Sequence, residues 1–192
     1  MKLYVARHGE TTWNVEKRLL GSTPGELTER GKEQARLLAE HIGGLSISVG
    51  YVSSLKRAVD TAEIIHSYYP ELAFTLSDLL RERNFGDFEG KDISEADRHG
   101  FWELPPDSSA YNAETLTDFT TRVAEFIKKL SEESDQAVLL VTHIGVVNRI
   151  HFLSNPDTFE FVHYSNADAI EFDLEALGRN SEALLAGKLT VR

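Results

Sequence analysis

Short continuous apolar runs alternate with amphipathic stretches along this chain. Residues 2–6 (KLYVA), 49–53 (VGYVS) and 137–141 (AVLLV) read as strands, the last one continuous and β-branched, as expected for a strand buried on both faces. Between them the apolar positions recur every three or four residues. Ala35, Leu38, Ala39 and Ile42 share one helical face, and Leu55, Ala58, Val59, Ala62 and Ile65 share another. Leu116, Phe119, Val123, Phe126, Ile127 and Leu130 make the longest stripe. Thr28, and Ser53 or Ser54, are placed as helix N-caps. Residues 169–172 and 183–189 are read as further strands. Strands alternating with amphipathic helices imply an α/β sheet covered by helices on both faces, whose ligands sit beyond the carboxyl ends of the strands.

The 192 residues suffice for one domain, 1–192, with a sizeable core. Residues 101–114 (FWELPPDSSAYNAE) are the most loop-like stretch, with paired prolines and exposed-looking aromatics, and give the domain a lid-like segment near 84–115. The chain lacks cysteine, which excludes thiolate catalysis, cysteine zinc sites and a disulfide framework. No apolar run is long enough to span a bilayer, and the amino terminus enters a strand rather than a basic and then apolar leader. A soluble, cytoplasmic protein is the expectation. The net charge of -11 argues against nucleic-acid and anionic-membrane partners, while a small anionic substrate fits if local cations gather it. The oligomeric state, a dimer included, is left open by the sequence.

Local cations are available at the strand ends. Arg7, His8 and Gly9 follow the first strand, and Thr142, His143, Ile144 and Gly145 follow the AVLLV strand. The VGYVS strand leads into Arg57 in the first turn of a helix. Guanidinium groups and helix N-termini both favour oxyanions, so three segments converge on a phosphate-like pocket in an acidic protein. A neutral imidazole can attack phosphorus and carry the phosphoryl group, and His8 is the candidate nucleophile. The flanking arginines disfavour its charged form. Arg7 and Arg57 would hold the non-bridging oxygens, His143 would stabilise their charge, and the Asn14 amide could donate to them. Gly9 would let the backbone approach without a side chain. The leaving oxygen needs a proton, and a carboxyl beside a phosphate dianion holds one firmly. Glu82, Asp87 and Glu89 all lie in the stretch LRERNFGDFEG, and spacing does not choose among them.

Taken together, RHGETTWN (7–14), LTERGKEQA (27–35), SSLKRAVDTAEII (53–65), LRERNFGDFEG (80–90) and VTHIGVVNRI (141–150) resemble the histidine phosphatase superfamily of phosphoglycerate mutases and small phosphatases. The blocks keep the family's order across roughly the first three quarters of the chain. The resemblance implies a three-layer α/β/α sandwich with a mostly parallel central sheet. It implies a phosphohistidine on His8, with Arg7, Arg57 and His143 around the phosphate, Asn14 assisting and Glu82 as the acid. It also implies no metal and no cofactor, and a small phosphorylated metabolite as substrate.

Two departures stand out. Ile144 precedes Gly145 where the family has the second histidine followed by glycine, and Pro24 and Glu26 replace the Asp and Pro of a GxxDxPLT-like turn. The mutases of the family carry a longer, basic, tyrosine-containing insertion after the segment matching FGDFEG, whereas residues 91–100 (KDISEADRHG) are short and acidic. Water should then reach the phosphohistidine, which favours a phosphomonoesterase over a bisphosphoglycerate-dependent mutase.

Two other classes compete: a phosphate-binding module without turnover, and a two-histidine metallohydrolase for which Glu10 is the one close carboxylate. His41, His66, His99, His151 and His163 are read as packing or surface groups. Trp13, Phe85, Phe88, Trp102 and Tyr111 are read as core or lid packing. Arg30, Lys32 and Glu33 are read as a solvated helix face, and Arg81 and Arg83 as partners of nearby carboxylates. Residues 100–115 carry apolar and acidic groups without a basic cluster, so the expected substrate is a monophosphate with an uncharged or modestly polar body.

Overall fold

The computed structural model describes residues 1–133 and 136–191. In chain order the elements are β1 (Lys2–Arg7), α1 (Thr12–Val15), α2 (Glu29–Ile42), β2 (Ile47–Ser53), α3 (Lys56–Tyr68) and β3 (Phe74–Ser77). They are followed by α4 (Ile93–Arg98), α5 (Leu116–Glu133), β4 (Ala137–Thr142), α6 (Ile144–Ser154), β5 (Ala169–Asp173) and α7 (Leu174–Leu185). The sheet order is β3-β2-β4-β1-β5, parallel throughout except for β5, which runs antiparallel to β1 at the edge.

Three layers follow from the alternation of side chains along the central strands. Leu3 and Val5 of β1, with Val138 and Leu140 of β4, face α5, α6 and α7 and join Val123, Ile127, Val146, Ile150 and Leu177 in one core. Tyr4 and Ala6, with Leu139 and Val141, face the other way onto Leu38, Ala39, Ile42, Ala58 and Ile65 of α2 and α3. Both faces of β1 and β4 are therefore dry, the physical reason for their unbroken apolar runs. β1 and β4 lie side by side, with Arg7 in register with Thr142, and the next residue of each strand is a histidine.

The structure departs from the sequence reading in several places. Residues 183–189 do not form a strand: α7 runs through Leu185, capped at its start by Asp173, whose carboxylate accepts from Glu175 N at 3.0 Å. Neither Ser53 nor Ser54 is the N-cap of α3. Leu55 holds that position without a side-chain cap, and Ser53 Oγ accepts from Leu55 N at 3.3 Å. Thr28 does cap α2, accepting from Gly31 N at 2.9 Å. β3 is a further strand, four residues long.

Between residues 84 and 115 the chain makes short 3-10 turns around α4 and a small third core of Leu19, Phe88, Ala96, Phe101 and Ala113, flanked by Phe85 and Tyr111. Phe101 is thus buried, contrary to the exposed-looking aromatic expected there, whereas Trp102 is 46% exposed. Trp13 packs outside this cluster, under the Arg18 guanidinium at 4.7 Å. Among the described residues no helix is long and apolar enough to cross a membrane.

Candidate active site

The two central strands end side by side and deliver His8 and His143 to one pocket. His8 N donates to Thr142 O at 2.9 Å, and the two imidazole centroids are 5.2 Å apart. His8 Nδ1 lies 2.7 Å from Gly9 O, a partner that can only accept, so the ring proton sits on Nδ1. Nε2 keeps its lone pair and receives the Arg57 Nε–H at 3.2 Å. Burial, then the charges of Arg57 and Arg7, holds the His8 imidazole well below its ordinary value, which keeps it neutral. His143 is held neutral in the same way, first by burial and then by Arg57.

Arg57 is fully buried, and its fork is spread over Gly21 O at 2.7 Å and Thr23 O at 2.9 Å. Burial lowers its pKa to about 10, opposed by Glu82 and Glu89. Arg7 donates from Nη1 to Tyr164 O at 2.9 Å, while its Nε is buried without a partner. His143 Nδ1 is also buried and unpartnered. Two orphaned polar atoms beside an unprotonated imidazole nitrogen suit an oxyanion better than an apolar ligand, because such atoms are costly to bury unsatisfied.

Glu82 forms part of the pocket wall. Its Oε1 accepts from Arg83 N at 2.9 Å and its Oε2 from Gly145 N at 3.0 Å. Arg122 of α5 holds the preceding stretch by donating to the carbonyls of Leu79, Arg81 and Glu82. The other carboxyl candidates face elsewhere: Asp87 accepts from Asn112 Nδ2 at 3.0 Å, and Glu89 accepts from Ser22 N and Thr23 N. The departure at Ile144 leaves Gly145 free to meet Glu82, since a Cβ at Gly145 would lie 2.1 Å from Glu82 Oε1. The altered turn around Pro24 is likewise held, with Arg57 on one side and Glu89 on the other.

Asn14 is bound into a capping box with Thr11 and accepts on Oδ1 from Thr11 N at 3.1 Å. Asn166 Nδ2 reaches the same oxygen at 3.4 Å and His8 O at 2.9 Å. The structure therefore brings Arg7, His8, Asn14, Arg57, Glu82 and His143 to one sheet edge. Gly9 works differently from the expectation: its Cα packs on the Gly31 backbone, where a Cβ would meet Gly31 O at 2.3 Å. Among the described residues Arg83 forms no ion pair with a carboxylate. It donates to Glu114 O at 2.9 Å and stacks on Phe101, while Arg81 reaches Asp78 at 4.0 Å.

Sequence reasoning did not find Ser53, Tyr164, Asn166 or Arg122 as supports of the site. Ser53 carries a signal in the sequence, a serine at the end of a strand leading to this edge, but a serine there fits a helix cap equally well. Glu10 turns away, its Oε1 accepting from Thr28 Oγ1 at 2.9 Å and its Oε2 lying 3.9 Å from Arg30. Among the described residues no group of three or more histidines and carboxylates could hold a metal ion.

Residues 3–183 match the sequence model of the histidine phosphatase superfamily, branch 1. The chain is 33% identical over 147 residues to a Bacillus subtilis protein named uncharacterized phosphatase PhoE, covering 76% of this chain and 73% of the relative. It is also 33% identical over 160 residues to the adenosylcobalamin/alpha-ribazole phosphatase of Escherichia coli, covering 77% and 76%. Among solved structures, Bacillus stearothermophilus YhfR superposes with a TM-score of 0.80 at 27% identity, over 90% of each chain. With a family match over nearly its whole length and the matching fold, the chain belongs to the histidine phosphatase superfamily, branch 1, and is an enzyme of that phosphatase class.

Proposed function

We propose that the protein hydrolyses small-molecule phosphomonoesters through a phosphohistidine on His8 Nε2. The observation that carries this reading is the hydrogen bond from His8 Nδ1 to Gly9 O, which leaves Nε2 unprotonated between Arg57 and His143. In the first step the Nε2 lone pair bonds to phosphorus, the ester P–O bond breaks, and the Glu82 carboxyl passes its proton to the leaving oxygen. In the second step the Glu82 carboxylate takes a proton from water, the water oxygen bonds to phosphorus, and the P–N bond breaks to release inorganic phosphate.

Arg7, Arg57 and the amide of Asn14 bind the non-bridging oxygens, and His143 donates to them from Nδ1. Ser53 supports that tautomer of His143: its Oγ accepts from Leu55 N and can give its own proton to His143 Nε2 at 2.7 Å. Each Glu82 oxygen accepts one backbone N–H and keeps a lone pair free, so the carboxyl is held in place yet can still exchange a proton.

The test is rapid mixing with a 32P-labelled phosphomonoester followed by denaturing quench. The expected result is an acid-labile, base-stable phosphoprotein and steady release of inorganic phosphate, unaffected by EDTA and absent from His8→Ala. Turnover retained in His8→Ala would overturn the reading. For the substrate we infer a monophosphate with an uncharged or modestly polar body, supported by the aromatic and acidic character of residues 100–115. Phenyl phosphate should be turned over faster than a bisphosphorylated glycerate, and phosphoryl transfer to phosphoglycerate outpacing hydrolysis would make the protein a mutase.

A further inference from the structure

The Glu89 carboxylate contacts neither histidine, yet it gathers an unusual number of donors. Oε1 accepts from Ser22 N at 2.7 Å, Ser22 Oγ at 3.0 Å and Phe85 N at 3.1 Å, while Oε2 accepts from Thr23 N at 3.0 Å. The turn held in this way is the one whose carbonyls receive Arg57. A single peptide group, between Gly21 and Ser22, gives its N–H to Glu89 and its C=O to Arg57 Nη2. An anion at one end of that dipole and a cation at the other reinforce each other through it. The connection continues from Arg57 Nε to His8 Nε2.

The turn also depends on this anchor for its shape. Gly21 has φ +52 and its Cα faces Glu89, where a Cβ would meet Oε1 at 2.1 Å. A glycine peptide can flip at little steric cost, so the acceptor at residue 89 keeps the Gly21 carbonyl turned toward Arg57. Without it the amides of Ser22 and Thr23 lose their partner and the guanidinium loses its two fixed acceptors.

We infer that Glu89 is a positioning residue that aims Arg57 at the phosphate through the 21–23 turn. The inference rests on the phosphate-binding reading of the His8 pocket. It predicts that Glu89 matters only while Arg57 is present, which a double-mutant cycle measures.

The cycle comprises the native chain, Glu89→Gln, Glu89→Ala and each of these combined with Arg57→Ala. It is followed by kcat/KM for phenyl phosphate and, independently of turnover, by calorimetric affinity for inorganic phosphate. Glu89→Ala should lower kcat/KM about a hundredfold, mostly in kcat, the scale expected when a reacting group is misplaced by about an ångström. Glu89→Gln, which keeps one oxygen for the turn, should lose about tenfold. In the Arg57→Ala background either change should cost less than about threefold.

Equal losses in both backgrounds, or no loss in the native background, would overturn the inference. Where thermal melting shows Glu89→Ala unfolded, the near-isosteric Glu89→Gln carries the cycle. A native chain that binds phosphate without turning over phenyl phosphate would defeat the phosphatase reading, while the affinity cycle would still decide the role of Glu89.

Discussion

At the scale of single residues, the chemistry depends on where two protons sit. His8 has its proton directed to Gly9 O, and on the proposed reading the Ser53 hydroxyl, 2.7 Å from His143 Nε2, donates to it and leaves the His143 ring proton on Nδ1. Ser53→Ala removes that hydroxyl from a fully buried place and leaves His143 Nε2 without a partner. An unsatisfied buried polar atom costs about 1–3 kcal/mol, so the ring will relieve it by changing tautomer or turning. The expected outcome is a kcat about tenfold lower with a smaller change in KM, since the lost donor acts on charge that develops in the transition state. Steady-state kinetics with urea unfolding of the same variant check both parts. Arg7, His8, Arg57 and His143 are legible in the sequence because each follows, or begins a helix just after, a recognisable strand. Asn166 and Tyr164 are not, because their partners His8 and Arg7 lie more than a hundred and fifty residues away, across an antiparallel edge that no local pattern announces.

At the scale of elements, the start of α6 does two jobs. Val146, Val147 and Ile150 bury the helix against the sheet, while Gly145 in its first turn gives its N–H to Glu82. Gly145→Ala separates these functions. Alanine favours a helix over glycine by up to about 1 kcal/mol, so the helix itself loses nothing, but the new Cβ would lie 2.1 Å from Glu82 Oε1 and 3.2 Å from the Phe119 ring. The carboxylate must move. The predicted result is an unfolding free energy in urea within about 1 kcal/mol of the native value together with a kcat lower by tenfold or more, about the cost of a displaced proton donor. An unchanged kcat would show that Glu82 is not the acid.

The same scale explains which elements the sequence reveals. β1 and β4 are buried on both faces and α5 carries a full apolar stripe, so each shows in its pattern. α7 is masked because its buried face mixes Leu174, Leu177 and Leu184 with Gly178 and Ser181. Gly178 is required by the close approach of α5, where a Cβ would meet Ser131 Oγ at 2.2 Å. β3 is a short edge strand with half its side chains in solvent, too little burial to impose a pattern.

For the molecule as a whole, the charge distribution couples the pocket to acid stability. The chain carries a net charge of -11, yet its interior places Arg7 and Arg57 against two buried imidazoles. Both imidazoles are held well below their ordinary value of 6.5 by burial and by these arginines. The unfolded chain takes up protons on both histidines as the pH falls through that value, and the folded protein does not. The unfolded state then binds more protons, so the unfolding free energy rises with pH and falls on acidification. The loss begins near the unfolded value and continues until the depressed folded values are reached. For two histidines the linkage amounts to about 2–3 kcal/mol between pH 7.5 and 5.5, a range above that in which most carboxylates titrate. Urea unfolding at several pH values within that range gives the slope directly. His8→Asn removes one of the two groups and should halve the slope while raising no new charge, and a slope equal to that of the native chain would show that His8 takes up its proton alike in the folded and the unfolded chain. Such a result would deny that burial and the arginines hold the imidazole neutral, so this measurement of stability bears on the chemistry without any substrate.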